Sequence, residues 1–509
     1  MAKRRKVSIT IRVDEGKAQI SERLFGLHLE HIWNCVYPCI WVGEGSDAPN
    51  REGIREDTVR MLSALRPTVF KYPGGYFTDF YDWRDGVGPR ERRPAREYPC
   101  VPGRVERNEF GTAEFVRLCR LVGAEPYLAV NTTSIEPSDA AHWVEYCNGT
   151  RDTYWANRRR EDGYEEPFCV KYWAIGNEAY YLHSADAYAE RYRQWVLWMY
   201  NADPSITVVA QGIEPGLCEG GLCNPDGSWG RRFLKLTGAC NWWRNHWHNA
   251  PKEKEVFYAF HPYFYAENAC CTPAEYYRAF ADLETRLPRS IATIVKRFDE
   301  TRGQYARPKL CFDEYGLLHS GTRMDGNMTQ PALFWSTLWL GCFFQICFEH
   351  AETVGMATHP GPINMEHELL LLEEGKVVAT PSYHLFKMYR DHGGAQALGI
   401  ELEGAPRAGA EKLPALRASA SVDRKTGTVT LSVINIDLER SVPAEVRLVG
   451  AHVKGARGKE LFSGDIHARN SAASPRHVEP REVRVKPTAG RIMHEFRPHS
   501  VTVLRIKTR

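Results

Sequence analysis

Hydrophobic and polar positions follow two regimes along this chain. From Leu24 onward, short apolar runs alternate with longer segments whose apolar residues recur every third or fourth position; beyond Asp391 only short alternating segments follow. The first regime predicts strands that hand over to amphipathic helices, and the second a β-sandwich. Strands are expected at Leu24–Glu30, Thr68–Gly75, Pro126–Asn131, Tyr172–Ile175, Ile206–Gln211, Val256–Tyr263, a run from Lys309 that finishes in Glu314, and Gly341–Glu349. Helical patterns cover Asp57–Leu65, Gly111–Val122, a segment from Asp186 with Tyr188, Tyr192, Trp195 and Trp198 on one stripe, and Tyr383–Arg390. The fold class is therefore α/β, a (β/α)8 TIM barrel over residues 19–392, followed by a β-sandwich over 393–509. Leu416–Val422, Thr428–Ile436, Ala444–Val449 and Ser500–Ile506 supply strands of the sandwich. Val7–Val13 alternates too but precedes the barrel, so residues 1–18 are expected to add a strand to that C-terminal sheet.

A chain of 509 residues is long enough for a large barrel and one further domain. Its 66 basic against 63 acidic residues leave a formal charge of +3, too balanced for nucleic acid to be the expected partner. The basic start, Ala2 to Lys6, is followed by an alternating segment and not by an apolar core, and no long apolar run occurs. Neither secretion nor a membrane partner is expected, and the scattered pattern of 14 cysteines suits a reducing cytoplasm. Residues 216–254 concentrate Cys218, Cys223, Cys240, Trp242, Trp243, His246, Trp247 and His248. The spacing of Cys218 and Cys223, and of His246 and His248, does not match paired zinc ligands, so a packed rim loop or subunit contact is expected and no metal.

Candidate chemistry sits at strand ends. Glu178 closes Trp173-Ala174-Ile175-Gly176-Asn177-Glu178, where a strand hands over to a helix, and Glu314 closes a second such run. In a barrel, strand C-termini form one rim, so the two carboxyls face one mouth. Burial among aromatic residues should raise the pKa of Glu178 and suit it to giving up a proton. A pair of this kind is what glycoside hydrolysis needs, at about 5–5.5 Å for retention or about 6.5–9.5 Å for inversion. The sequence supplies the pair and not the distance. His261 and Tyr263, two apart at the end of the sixth run, point to one side and reach the same site. The loop from Ile32 to Asn50 and that from Tyr76 to Pro89 are rich in aromatic residues, which serve sugar stacking or loop packing equally.

The order and spacing of several short motifs resemble those of the glycoside hydrolase family 51 α-L-arabinofuranosidases along nearly the whole chain. They are Phe25-Gly26 with Glu30-His31, Ile40-Trp41-Val42-Gly43-Glu44, Tyr72-Pro73-Gly74-Gly75, Asp85-Gly86-Val87-Gly88-Pro89-Arg90, Gly176-Asn177-Glu178, Asp313-Glu314 and Thr380-Pro381-Ser382-Tyr383-His384. The resemblance implies a retaining exo-glycosidase without metal or organic cofactor, releasing terminal arabinofuranose from oligosaccharides. It makes Glu178 the acid/base and Glu314 the nucleophile. Asn177 would bond the sugar 2-hydroxyl, Glu30 the furanose hydroxyls, and Tyr263 would donate to Glu314 and lower its pKa. Homo-oligomers, hexamers among them, are common in the family. Lys71 stands where the family has Arg, Tyr76 where it has a small residue, Leu318 where it has Trp, and the loop before Asn364 has Gly361 in place of Gln. With Lys71, Tyr76 and Asn364 in the pocket, the alternative is the same chemistry on another furanoside, or on a β-glucoside or β-xyloside.

Overall fold

The computed structural model describes residues 7–98, 103–215, 228–246, 254–319, 332–365, 367–485, 487–488 and 490–508, without the side chains of 245 and 246. Eight parallel strands close into a barrel: Gly26–His28, Val69–Tyr72, Glu125–Val130, Tyr172–Ile175, Thr207–Gln211, Phe257–Ala259, Lys309–Phe312 and Val354–His359. A helix follows each strand, in order Glu56–Ser63, Thr112–Val122, Pro137–Asn148, Ala185–Ala202, Trp229–Thr237, Pro273–Thr301, Phe334–Glu349 and Pro381–Tyr389. The period of two in each strand sorts its side chains. Val69, Tyr127, Ala129, Ala174, Phe257 and Met356 fill the barrel interior, while their neighbours Phe70, Leu128 and Trp173 pack against the helices.

Helix Ala185–Ala202 shows how the pattern fixes an element. Ser184 caps it, accepting from the Ala187 N–H at 3.2 Å, and Tyr188, Tyr192, Trp195, Val196 and Met199 form its buried stripe. Trp198, expected on that stripe, is half exposed.

The eighth strand is not Gly341–Glu349. That run is the C-terminal part of helix Phe334–Glu349, buried from Phe334 through Phe348, and the strand follows at Val354–His359. The helix is wedged between barrel and sheet. Phe343 stacks on Tyr315 at 4.3 Å and Phe344 on Phe25 at 5.3 Å, while Gln345 Nε2 donates to the Ser432 carbonyl at 3.2 Å. A helix covered on every side has no polar stripe, so its periodicity vanishes from the sequence.

Nine strands form one continuous sheet in the order Arg481–Val485, Val453–Phe462, Ser500–Thr508, Thr428–Asn435, Leu416–Asp423, Gln396–Glu403, Val7–Gln19, Val442–Val449 and Arg491–Phe496. Its two edge strands come into contact, so the sheet curls around its own core. The N-terminal strand lies inside it, antiparallel to Gln396–Glu403 and parallel to Val442–Val449. Val7, Ile9, Ile11 and Val13 point into the core, each worth about 1.5–3 kcal/mol when fully buried. Arg12 on the other face pairs with Glu401 at 2.8 Å. No described helix is long and apolar enough to cross a membrane, and the eleven cysteines among the described residues are free thiols.

Candidate active site

A polar layer caps the barrel interior at the C-terminal ends of the strands. Alternation carries Val69 to Lys71 on the second strand and Cys311 to Asp313 just past the seventh, so a cation and an anion meet inside the barrel. Lys71 Nζ lies 3.0 Å from Asp313 Oδ2, and neither side chain has exposed surface. Two buried charges alone would be costly. Asp313 offsets that cost by collecting further donors: Tyr127 Oη at 3.0 Å, Gln211 Nε2 at 3.2 Å and His261 Nε2 at 3.1 Å. Although burial opposes its charge, Lys71 and His261 hold Asp313 well below the usual carboxylate range. Burial also opposes the Lys71 charge, yet Asp313 and Glu314 raise it above the ordinary lysine value.

Two glutamates stand on this layer. Glu178 follows the fourth strand in a left-handed conformation, φ 42°, after Gly176 at φ 78°. Such a backbone costs of order 1–3 kcal/mol for a residue with a side chain. It is fixed from both sides: the Asn177 N–H donates to Asp79 Oδ2 at 3.1 Å, and the Glu178 carbonyl accepts from Tyr181 at 2.9 Å. Asp79 also accepts from the Thr132 N–H at 2.7 Å, tying the second and third strand-end loops to the fourth. Glu314 is more deeply set, its side chain 7% exposed against 26% for Glu178. Tyr263 Oη donates to Glu314 Oε2 at 3.1 Å, and Lys71 Nζ lies 3.6 Å from its other oxygen.

His261 links the pair. Its Nδ1 is 3.0 Å from Glu178 Oε1 and 3.3 Å from Glu314 Oε2. One oxygen of each glutamate and a ring nitrogen of His261 all lie within 4.8 Å of one another. Burial works against the imidazolium, but Glu314, Asp313 and Glu178 surround it and push its pKa up to about 10. Among the described residues Glu178, His261 and Glu314 form the one cluster whose side chains could together hold a metal ion, and Lys71 brings a cation within 3.6 Å of Glu314. Cys218, Cys223, Trp247 and His248 lie outside the described residues.

The surroundings shift the two glutamates in directions opposite to those expected from sequence. Burial raises Glu178, but the hydrogen bond and charge of His261, helped by Tyr180 at 2.9 Å, outweigh it and hold the carboxyl low. For Glu314 burial prevails over His261 and Lys71, with Glu178 and Asp313 adding to it, and the pKa is raised. The physical content is one imidazolium between two carboxylates, lying closer to Glu178.

The remaining expected residues take different places. Glu30 is buried beside Glu314; its Oε1 accepts from the Tyr76 N–H at 2.8 Å, and Gly75 fills the gap between the two carboxyls so closely that a Cβ would stand 2.9 Å from Glu314 Oε1. Asn177 is buried with its Oδ1 accepting from Lys71 Nζ at 2.9 Å. Lys71 itself is a floor residue with no exposed surface, its Nζ beside Asp313, Glu314 and Asn177. Tyr76 is 56% exposed and packs on Phe80 at 4.9 Å, on the rim. Asn364 is committed to a loop, its Oδ1 accepting from the Leu372 N–H at 2.6 Å. His261 and Tyr263 do reach one site, but not along a shared strand: the barrel strand ends at Ala259 and Tyr263 opens a short strand paired with Gly316–His319. Sequence reading missed Asp313, Asp79 and Tyr180 as site residues. For Asp313 the alternation from Cys311 was the available signal.

Two family models match, one described as α-L-arabinofuranosidase 1 domain over residues 61–216 and one as α-L-arabinofuranosidase C-terminal domain over 313–500. α-L-Arabinofuranosidase C of Emericella nidulans is 30% identical over 459 residues, 86% of each chain. The chain belongs to the α-L-arabinofuranosidase family, glycoside hydrolase family 51. An intracellular exo-α-L-arabinofuranosidase of Bacteroides ovatus is 27% identical over 95% of this chain and 93% of its own. The crystal structure of the family 51 arabinofuranosidase from Xanthomonas axonopodis pv. citri superposes with a TM-score of 0.85 at 25% identity, covering 99% of this chain and all of that one. As a family 51 glycosidase, this chain keeps its paired carboxyls where the barrel places chemistry.

Proposed function

We propose that this protein is a retaining, exo-acting α-L-arabinofuranosidase that works by double displacement. The observation that carries the reading is the spacing of Glu178 and Glu314, with oxygens within 4.8 Å, which fits the short separation of retention and leaves no room for the water of an inverting site. In the first step a Glu314 oxygen attacks the anomeric carbon while Glu178 gives its proton to the leaving oxygen, and the glycosidic bond breaks. In the second, Glu178 takes a proton from water, the hydroxide oxygen bonds the anomeric carbon, and Glu314 leaves as carboxylate.

Without substrate the pKa directions of the two glutamates run opposite to these roles, so substrate binding has to reverse them. The roles require Glu178 to be protonated and Glu314 ionised when substrate is bound: a sugar seated over the pair takes water away from Glu178, and the positive charge that develops at the anomeric carbon favours an ionised Glu314. The greater exposure of Glu178 fits contact with the departing group. Asn177, its carbonyl end held by Lys71, presents its amide to a sugar hydroxyl, and Glu30 takes the hydroxyls on the far side of Gly75. The likeness to an enzyme named intracellular supports action inside the cell on short oligosaccharides.

The test is hydrolysis by the purified protein of aryl α-L-arabinofuranoside, β-D-galactofuranoside, β-D-xyloside and β-D-glucoside, with the anomer of the first product read by NMR. The arabinofuranoside leading, with retained configuration, is the expected result. A lead by another sugar replaces the substrate while keeping the mechanism, and an inverted first product removes the mechanism.

A further inference from the structure

A second concave site lies where the sheet meets the last barrel helix, on the side of the N-terminal ends of the barrel strands and away from the glutamates. There the sheet face that packs on the barrel through Leu461, Val501 and Val503 diverges from helix Pro381–Tyr389 and opens a cleft of about 950 Å³. Ligand pockets span roughly 300–1,000 Å³. Its charged walls are Arg66, Lys387, Arg457, Lys459 and Arg505 against Asp391 and Glu482. Its lining therefore has an excess of cations, five against two carboxylates. His384, which also lines it, is kept neutral, burial pushing its pKa down to about 4.

The strand register sharpens this. Arg457 stands directly opposite Arg505 on one neighbouring strand and opposite Arg484 on the other, so three arginines align across three adjacent strands, of which Arg457 and Arg505 line the cleft. Like charges directly opposite one another destabilise a sheet. The row is only partly compensated: Arg505 shares Asp391 with Arg66, at 3.0 and 2.8 Å, and Lys459 lies 3.8 Å from Glu482. Among the described residues Arg457, Arg484 and Lys387 have no carboxylate within ion-pair distance. Neighbouring strands are about 4.7–4.9 Å apart, so the row offers evenly spaced forks for a ligand with a carboxylate on successive units.

We propose that this cleft binds the uronate-bearing stretch of an acidic glycan, its carboxylates on the arginine row and its sugar faces against Tyr383, Met388 and Val503. A single-stranded nucleic acid would need a succession of aromatic platforms, and the cleft offers only Tyr383 and the neighbouring His384 ring. The proposal does not depend on which terminal sugar the catalytic pocket removes.

Titration calorimetry of the full chain with oligogalacturonate, with neutral xylo-oligosaccharide and with single-stranded DNA tests it. Oligogalacturonate is expected to bind and to be released by salt, and the neutral chain not to bind. Arg457→Glu with Lys387→Glu, and separately Arg457→Gln with Lys387→Gln, should weaken that binding by about tenfold or more, one charge-assisted contact being worth a factor of that order. Turnover of an aryl glycoside should stay at the wild-type value in both variants, which also reports their folding. Absence of oligogalacturonate binding by the wild type, full binding by a variant with wild-type turnover, or tighter binding of DNA would each overturn the assignment.

Discussion

Asp313 Oδ1 and His261 Nε2 stand 3.1 Å apart beneath Glu178 and Glu314, both side chains buried. Against the cost of burial, Glu314, this carboxylate and Glu178 together push the pKa of the ring up to about 10. Asp313→Asn should therefore lower the His261 pKa from its value of about 10 and move the alkaline limb of the pH–activity profile down. A profile that keeps its alkaline limb in the variant would remove the link.

The same contact couples stability to pH. The folded-state pKa of His261 lies above its unfolded value of about 6.5, so its contribution is complete below that value and fades as pH rises through about 10. Unfolding midpoints measured across this range should fall more steeply in the wild type than in His261→Asn.

Glu178→Ala should slow glycosides with poor leaving groups by about 10²-fold or more and activated aryl glycosides far less, with azide restoring turnover. Equal losses on both kinds of substrate would contradict the proton-donor role.

Glu314→Gln should abolish turnover while leaving the melting temperature close to that of the wild type, since the amide fills the same volume. Recovery of wild-type rates in this variant would exclude Glu314 as nucleophile.

Gly75→Ala places a methyl group 2.9 Å from Glu314 Oε1 and 3.0 Å from both Glu30 oxygens. The expected loss is in kcat/KM, about 10–10²-fold, with little change in circular dichroism, because only the ends of two carboxylates must shift. Wild-type kinetics in Gly75→Ala would show that the two carboxyls have slack.

Much of this architecture was legible because the barrel strands and outer helices carry different periods. Glu178 and Glu314 could be found from strand ends alone, and their motifs located Glu30 and Asn177. Two kinds of information were hidden. Helix Phe334–Glu349 is apolar on every face because barrel and sheet both cover it, and that erased the stripe by which a helix is recognised. The buried layer of Lys71 and Asp313 depends on a register across the barrel, and the protonation of the glutamates depends on which of them His261 approaches more closely. Neither is a local property of a sequence window. Tyr76 shows the converse, since a bulky residue beside a pocket motif turned outward onto the rim.

The position of strand Val7–Gln19 between Gln396–Glu403 and Val442–Val449 sets a timetable for synthesis. Its second neighbour is complete only when the ribosome has added about 430 further residues, which at about 5–20 residues per second takes roughly 20–90 s. Through most of that interval the nascent chain carries an unmatched strand with four apolar side chains, because the barrel is complete only after His359 and the first sheet neighbour, Gln396–Glu403, comes later still. The segment made early is thus among the last to be docked, and a growing polypeptide on crowded polysomes presents it to its neighbours before its own sheet exists.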